Sequence, residues 1–371
     1  MSNNKKPILA EEVKLNKKIG EDILEAWINM LWLRPATALQ KALEAKFHTK
    51  FLPFKRPIAD LGCGDGTHSS LIAGRRYNST FDMYLSIAPM LNNLTLSKNK
   101  KVHFKKANTT GDYFSGGDPY LYFNAKNYKN LINIRKKENF NFDWGCDLSP
   151  ELVNKAKILD IYDDLRVQDL NKRLPLPSSS FSTIYSNVSY WMKDKRLLFS
   201  EQERILKNDG ISIMTAQDPI IHNEIALTSI ARKYSKFLKH SFDPEWLKQL
   251  NRGRIEQTKG LLLTVTEWKK LFNNCGLEIL FLGKFMSRDA YWHYDTDLRE
   301  TFPSDVTLAQ DLSNSGKKGN ELRKNWKKNR VDHFKIKWSS FFYDNKNWQK
   351  KIPRSWNYFV IKKKGFKSWI E

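Results

Sequence analysis

Residues 57–74 read PIADLGCGDGTHSSLIAG, an apolar stretch that runs straight into a glycine-rich turn and out again into a helical pattern. Ile58 to Leu61 suit a short buried strand, and Gly62, Gly64 and Gly66 punctuate the turn before Thr67 opens a helix. Glycine permits positive φ and removes the side chain that would hold a ligand away, so such a turn brings backbone N–H groups against a bound molecule at a helix N-terminus. The spacing separates two classes of cofactor. A dinucleotide fingerprint, GxGxxG, counted from Gly62, requires a third glycine where this chain has Thr67. The pattern present is Asp60-x-Gly62-Cys63-Gly64-x-Gly66.

Downstream, FNFDWGCD reads as a strand ending at Asp147, with Ser149 as N-cap and Pro150 at the first position of the helix ELVNKAKIL. LRVQD and FSTIYS are the next strands, separated by the turn-rich LPLPSSS; a helix, LLFSEQERIL, then leads through the turn LKNDG to the strand ISIMTA. TEWKKLFNNCG and LEILFLG add a helix and a strand, and NYFVIKKK a last strand. Strands alternating with crossover helices predict a parallel sheet covered on both faces. The expected fold is α/β, a Rossmann-like, doubly wound, mostly parallel seven-stranded sheet.

Three segments stand outside that alternation. Residues 21–47 hold two helical patterns, the second opened by Pro35, and residues 1–50 are expected to form an N-terminal helical lid. Residues 75–141, rich in Tyr, Phe and Asn, read as an insertion within a core spanning 51–285. Residues 286–371 are expected to form a cap on the substrate side plus the last strand. A long helical stretch is expected from 217 to about Leu250.

The glycine turn resembles motif I of the class I S-adenosylmethionine (SAM) dependent methyltransferases, and three further segments are similar to elements of that superfamily. GCDLSPELVNKA looks like the second-strand element whose acidic residue takes the ribose hydroxyls of SAM. That points to Asp147, with Leu148 beside it, because a carboxylate accepts both hydroxyl protons; Asp82, about twenty residues after the turn, is the rival position. LRVQDLN is similar to the third-strand end that contacts adenine, which implies roles for Asp169 and the Leu170 amide. LPLPSSSFSTIYSNVSYW resembles the stretch leading into the fourth strand, with Ser182 where many members have aspartate. It places Asn187, Val188 and Tyr190 near the transferred methyl group. ERILKNDGISIM resembles the approach to the fifth strand, with Asn208-Asp209 replacing Pro-Gly.

The likeness is strongest to the small-molecule methyltransferases of the type found in ubiquinone and menaquinone biosynthesis. It covers residues 57–74 and 142–217 and implies a methyltransferase that uses SAM, with a small-molecule acceptor. Asp60, Gly62, Cys63, Gly64, Gly66, Asp147, Leu148, Asp169, Leu170 and Asn187 are thereby implied in cofactor binding. Absence of an NPPY sequence after the fourth strand argues against amide or adenine N-methylation. His222 is a candidate base if the acceptor is a hydroxyl. Arg34, in WLRP, is a candidate partner for the methionine carboxylate of SAM.

Composition narrows the alternatives. The chain has 371 residues and a formal net charge of +23, which suits an anionic partner; the basic residues are spread along the chain without a nucleic-acid-binding motif, and abundant Lys and Asn also follow from a genome rich in A and T. Three dispersed cysteines and seven scattered histidines form no metal-ligand spacing. No apolar run is long enough for a membrane span and no secretory signal is evident, so a cytoplasmic location is expected. A nicotinamide oxidoreductase and a non-catalytic SAM-fold binding protein, possible partner of RNA, are the alternative readings.

Overall fold

The structure, a computed structural model, describes residues 10–87, 125–221, 258, 260–298, 302–343 and 354–371. Two helices, α1 (Lys17–Met30) and α2 (Pro35–His48), precede strand β1 (Ile58–Leu61) and helix α3 (Thr67–Ile72). The described ends of the insertion contribute β2 (Arg76–Tyr77), a 3-10 turn (Met83–Ile87), α4 (Ala125–Leu131) and β3 (Ile134–Lys136). The alternation resumes with β4 (Phe142–Asp147), α5 (Pro150–Leu159), β5 (Tyr162–Val167), β6 (Phe181–Ser186), α6 (Lys195–Ile205) and β7 (Leu206–Gln217). Then come α7 (Val265–Asn274), β8 (Leu277–Ser287), α8 (Arg288–Trp292), a π-helical turn (His293–Leu298), α9 (Phe302–Asn314), α10 (Gly316–Tyr343) and β9 (Arg354–Lys363).

The seven-stranded sheet has the order β5-β4-β1-β6-β7-β9-β8, with β2 and β3 forming a separate antiparallel pair. β1 pairs in parallel with β4 and β6, as do β4 with β5 and β6 with β7; β9 runs antiparallel between β7 and β8. The expected mostly parallel, doubly wound sheet is therefore present. Its two covered faces follow from side-chain alternation along the strands: Ile58 and Tyr185 enter a large core with α1 and α2, while Ala59, Leu61 and Ile184 enter a second one with Leu198 and Ile205 of α6.

Local signals account for the helix starts. Ser149 accepts from Leu152 N–H ahead of Pro150, Asp194 accepts from Leu197 N–H, and Thr264 with Glu267 forms a complete capping box. One turn is not where sequence puts it. LKNDG, expected as a loop before the fifth strand, lies within β7: Phe181 pairs with Leu206 and Thr183 with Ile211, so the extra residues of β7 bulge out of the ladder. The displaced Asp209 meets Lys55 Nζ at 2.7 Å near the surface.

Within residues 1–50 the second helix is packed deeply into the molecule. α2 is buried along almost its whole length, and Phe47 near its end stacks on Tyr358 of β9 at 5.3 Å. Because its polar residues Lys41, Glu44 and His48 find partners inside the molecule, the helix belongs to the core layer over β6, β9 and β8. α10 runs along α1: Tyr343 Oη donates to the Lys17 carbonyl at 2.8 Å, and a Cβ on Gly20 would collide with that hydroxyl. The described residues between β8 and β9, expected as a cap, are largely helical, and Trp338 is buried where it donates to His293 Nε2 at 2.9 Å. The helix expected from 217 to Leu250 lies mostly outside the described residues, as does His222. Among the described residues no helix is long and apolar enough to cross a membrane.

Candidate active site

A cavity of about 430 Å³ opens at the carboxyl ends of β1, β4, β5 and β6, where a doubly wound sheet places its ligands. Its floor on one side is the glycine turn. Gly62, Gly64 and Gly66 all have positive φ, and each is glycine for its own reason. A Cβ on Gly62 would lie 2.1 Å from Val188 Cγ2, and one on Gly66 would press on Ala156 and Leu159 of α5. Around Gly64 there is nothing within 4 Å of that position, so its backbone is bare toward the cavity.

The turn bonds within itself, Gly66 N–H donating to the Cys63 carbonyl at 3.1 Å, and is tied to its neighbours as well. Gly62 and Cys63 N–H both bond the Cys146 carbonyl at 2.9 and 2.8 Å, which ties β1 to β4. Gly64 N–H donates to Asp147 Oδ2 at 3.0 Å while Ser149 N–H donates to Oδ1 at 3.0 Å. Burial pushes the Asp147 carboxyl up, and the amides of Ser149, Gly64 and Leu148 pull against that shift. Behind the turn, Asp65 pairs with the fully buried Lys155 of α5 at 2.6 Å. Burial would raise the Asp65 carboxyl, but Lys155 and the Thr67 amide hold it below its ordinary value.

Most of the expected cofactor residues line this cavity: Gly62, Cys63, Gly64, Asp147, Leu148, Asp169, Leu170 and Asn187. Two do not. Asp60 is buried with Oδ2 accepting from Ser69 Oγ and from Tyr162 Oη (2.7 Å), so it ties α3 and β5 to β1. Burial lifts its carboxyl to about 7 despite those two hydrogen bonds. Gly66 caps α3 from the far side of the turn. Cys63 faces the cavity, but burial and the surrounding carboxylates push its thiol well up, which leaves it unsuited to nucleophilic work.

The rival acid, Asp82, lies elsewhere. Its Oδ2 meets Arg323 Nη2 at 2.8 Å and its Oδ1 accepts from Trp32 Nε1 at 3.1 Å, a buried junction between the insertion and α10. Asp169 has Oδ1 engaged by the N–H and side chain of Asn171 at 2.9 and 3.1 Å, with the turn that follows shaping the rim.

Of the opposite wall, the sequence points to Arg34 and Tyr190 but not to the rest. Arg34 just ahead of α2 and Thr37, Gln40 and Lys41 of α2 line it, together with His68 on α3. Tyr190, Trp191, Tyr294 and Trp356 supply its aromatic surface, and Gln217 stands at the end of β7. His68 lies next to the glycine motif and could have been picked from that proximity. Burial, with help from Lys41, drives it down to about 3, so it is a neutral imidazole, 3.3 Å from Asn187 Nδ2 and edge-on to Trp27.

Residues 137–214 match the family model for a methyltransferase domain. The chain carries the class I methyltransferase fold. The matched part of the chain runs from just before β4 into β7, and the glycine turn lies outside it, on the other side of the insertion. Among curated proteins no sequence matches the chain. Similar solved structures include a phosphoethanolamine N-methyltransferase of Haemonchus contortus in complex with SAM, at 13% identity over 92% of this chain and 56% of the other, with a TM-score of 0.38. A geranyl diphosphate C-methyltransferase of Streptomyces coelicolor shares 12% identity over 86% of this chain and 73% of its own, with a TM-score of 0.35. The [4+2]-cyclase SpnF shares 11% over 88% and 80%, with a TM-score of 0.38. Likenesses this distant say nothing of this chain's chemistry.

Proposed function

We propose that the chain binds SAM in the cavity at the ends of β1, β4, β5 and β6 and transfers its methyl group to a small-molecule acceptor. The observation that carries this reading is the meeting of the bare Gly64 backbone with the Asp147 carboxylate at one cavity wall. The donor set fits the cofactor: Asp147 offers carboxylate lone pairs for two ribose hydroxyls, and Asp169 with the Leu170 amide offers an acceptor and a donor for an adenine edge.

When bound, the cofactor supplies a methyl carbon made electrophilic by a charged sulfonium. The chain's own task is then positioning and exclusion of water, which can together lower a transfer barrier by roughly 7–11 kcal/mol at best. Arg34 at the start of α2 is the cation for the methionine carboxylate. Asn187 and Val188, at the end of β6, border the reacting region, with Val188 pressed against Gly62. His68, driven down to about 3, serves as a hydrogen-bonding neighbour of Asn187 rather than as a base.

Calorimetric titration with SAM, S-adenosylhomocysteine and NAD tests the reading. Saturable binding of the first two and not of NAD is expected, with Asp147→Ala weakening it about 100-fold, or ~2.7 kcal/mol. Folded protein that takes up neither SAM nor S-adenosylhomocysteine would rule it out.

A further inference from the structure

The acceptor wall holds a feature that cofactor binding does not use. Lys41 is only 7% exposed, yet it lines the cavity. Its ammonium donates to Glu44 Oε2 at 2.7 Å, and no other partner is found for it among the described residues. An ammonium has three N–H donors, so two remain for a ligand or water. A lysine buried this deeply in a cavity wall is costly unless its charge is compensated.

The compensation is elaborate. Glu44 is 1% exposed and accepts from Tyr185 Oη at 3.2 Å as well as from Lys41. His48 Nε2 stands 3.5 Å from the same carboxylate, and Tyr358 Oη is 2.9 Å from His48 Nδ1. Burial would raise the Glu44 carboxyl, but Lys41 and His48 bring it down to about 2. Burial lowers His48 against the pull of Glu44. The network holds the Lys41 side chain in place at the cavity wall through its 2.7 Å contact with Glu44.

Arg34, just ahead of α2, and Lys41 within it stand seven residues apart, which separates their backbone positions by roughly 10 Å. Lys41 donates to Glu44, further along the helix. With Arg34 assigned to the cofactor, Lys41 is left for a second anion. The same cavity has an aromatic wall: Tyr190 packs edge-on to Trp356 at 5.6 Å and to Trp191 at 5.3 Å.

Building on the SAM-binding reading, we infer that the methyl acceptor is a small carboxylate with an apolar or aromatic body, its carboxylate held by Lys41 and its body by Tyr190, Trp191 and Trp356. The ring wall supplies apolar area and the ammonium a charge-assisted hydrogen bond, which together select for an acid over its neutral analogue.

Protein saturated with S-adenosylhomocysteine is titrated with paired aromatic and medium-chain aliphatic acids and their primary amides, read by quenching of tryptophan fluorescence. Acids should bind at least tenfold tighter than their amides. Lys41→Met together with Glu44→Gln, which leaves no lone buried charge, should abolish that preference; Lys41→Arg should retain part of it. No binding by any acid, amides binding as well as acids, or a preference that survives the double variant would each overturn the inference. A loss of S-adenosylhomocysteine affinity in the double variant, with methylthioadenosine affinity intact, would assign Lys41 to the cofactor's own carboxylate and overturn it too. Failure of wild-type protein to bind S-adenosylhomocysteine at all would instead sink the underlying SAM reading, which separates the two.

Discussion

The two walls of the cavity are built in opposite ways. On the side of β5, β4 and β1, each polar group sits within a few residues of a strand end, and backbone amides do most of the holding: Gly62, Cys63 and Gly64 are fixed by Cys146 and Asp147. On the side of β6, β7 and β9, the wall is made of side chains brought from α2, the π-helical turn and the last strand, with links such as His48 to Tyr358 spanning 310 residues. A backbone-lined site is specified by local conformation, whereas a side-chain-lined one exists only after long-range packing is complete.

The glycine wall can be broken most severely from behind. Lys155→Met would leave the Asp65 carboxylate, 12% exposed at the cavity wall, without its cation, and a loss of about 3–5 kcal/mol of stability is expected in urea unfolding. If stability barely changes, the turn is more self-supporting than its contacts imply.

A pH series sharpens the same wall. Asp60 ionises near its ordinary value of 3.8 when unfolded but at about 7 in the fold, because burial penalises its charge. The folded state therefore holds the extra proton through that window, and stability should fall as pH rises from about 4 to 7, then level off. Asp60→Asn should remove on the order of 2–4 kcal/mol of that slope, measured by unfolding at each pH.

Gly62→Ala tests whether the turn needs glycine for conformation or for contact. With φ at +82° and Val188 Cγ2 in the way, a cost of about 2–3 kcal/mol is expected, along with lost SAM binding. Stability retained in a Gly62→Ala, Val188→Ala double variant would assign most of the cost to the collision. The smallest effect belongs to the other wall: Arg34→Ala should weaken SAM about tenfold, ~1.4 kcal/mol by calorimetry, and an unchanged affinity would remove Arg34 from the cofactor site.

The contrast explains what sequence could and could not show. Ser149 before Pro150, the apolar runs of β4 and β6, and the glycine spacing are short-range signals that constrain backbone directly, so the sheet and most of the cavity's first wall could be read from them. Asp147 and Asp82 could be ranked but not separated by spacing; the structure puts Asp147 against Gly64 and buries Asp82 against Arg323. Asp60 and Gly66 belong to the same motif as Gly64 but support it from outside the cavity, because their positions in the turn point them at α3 and α5. The bulge in β7 is hidden in the sequence because Asn208 and Asp209 favour turns in any local context.

The sequence by itself determined the alternating α/β order, the strand ends and the glycine turn, because these depend on periodicity and backbone freedom within a few residues. Only the tertiary structure decided that α2 is a buried wall of the site, that Lys41, Glu44 and His48 share one network with Tyr185 and Tyr358, and that α10 lies along α1. Those outcomes depend on which distant surfaces cover each buried charge and ring, and burial is a property of the whole packed molecule rather than of any segment.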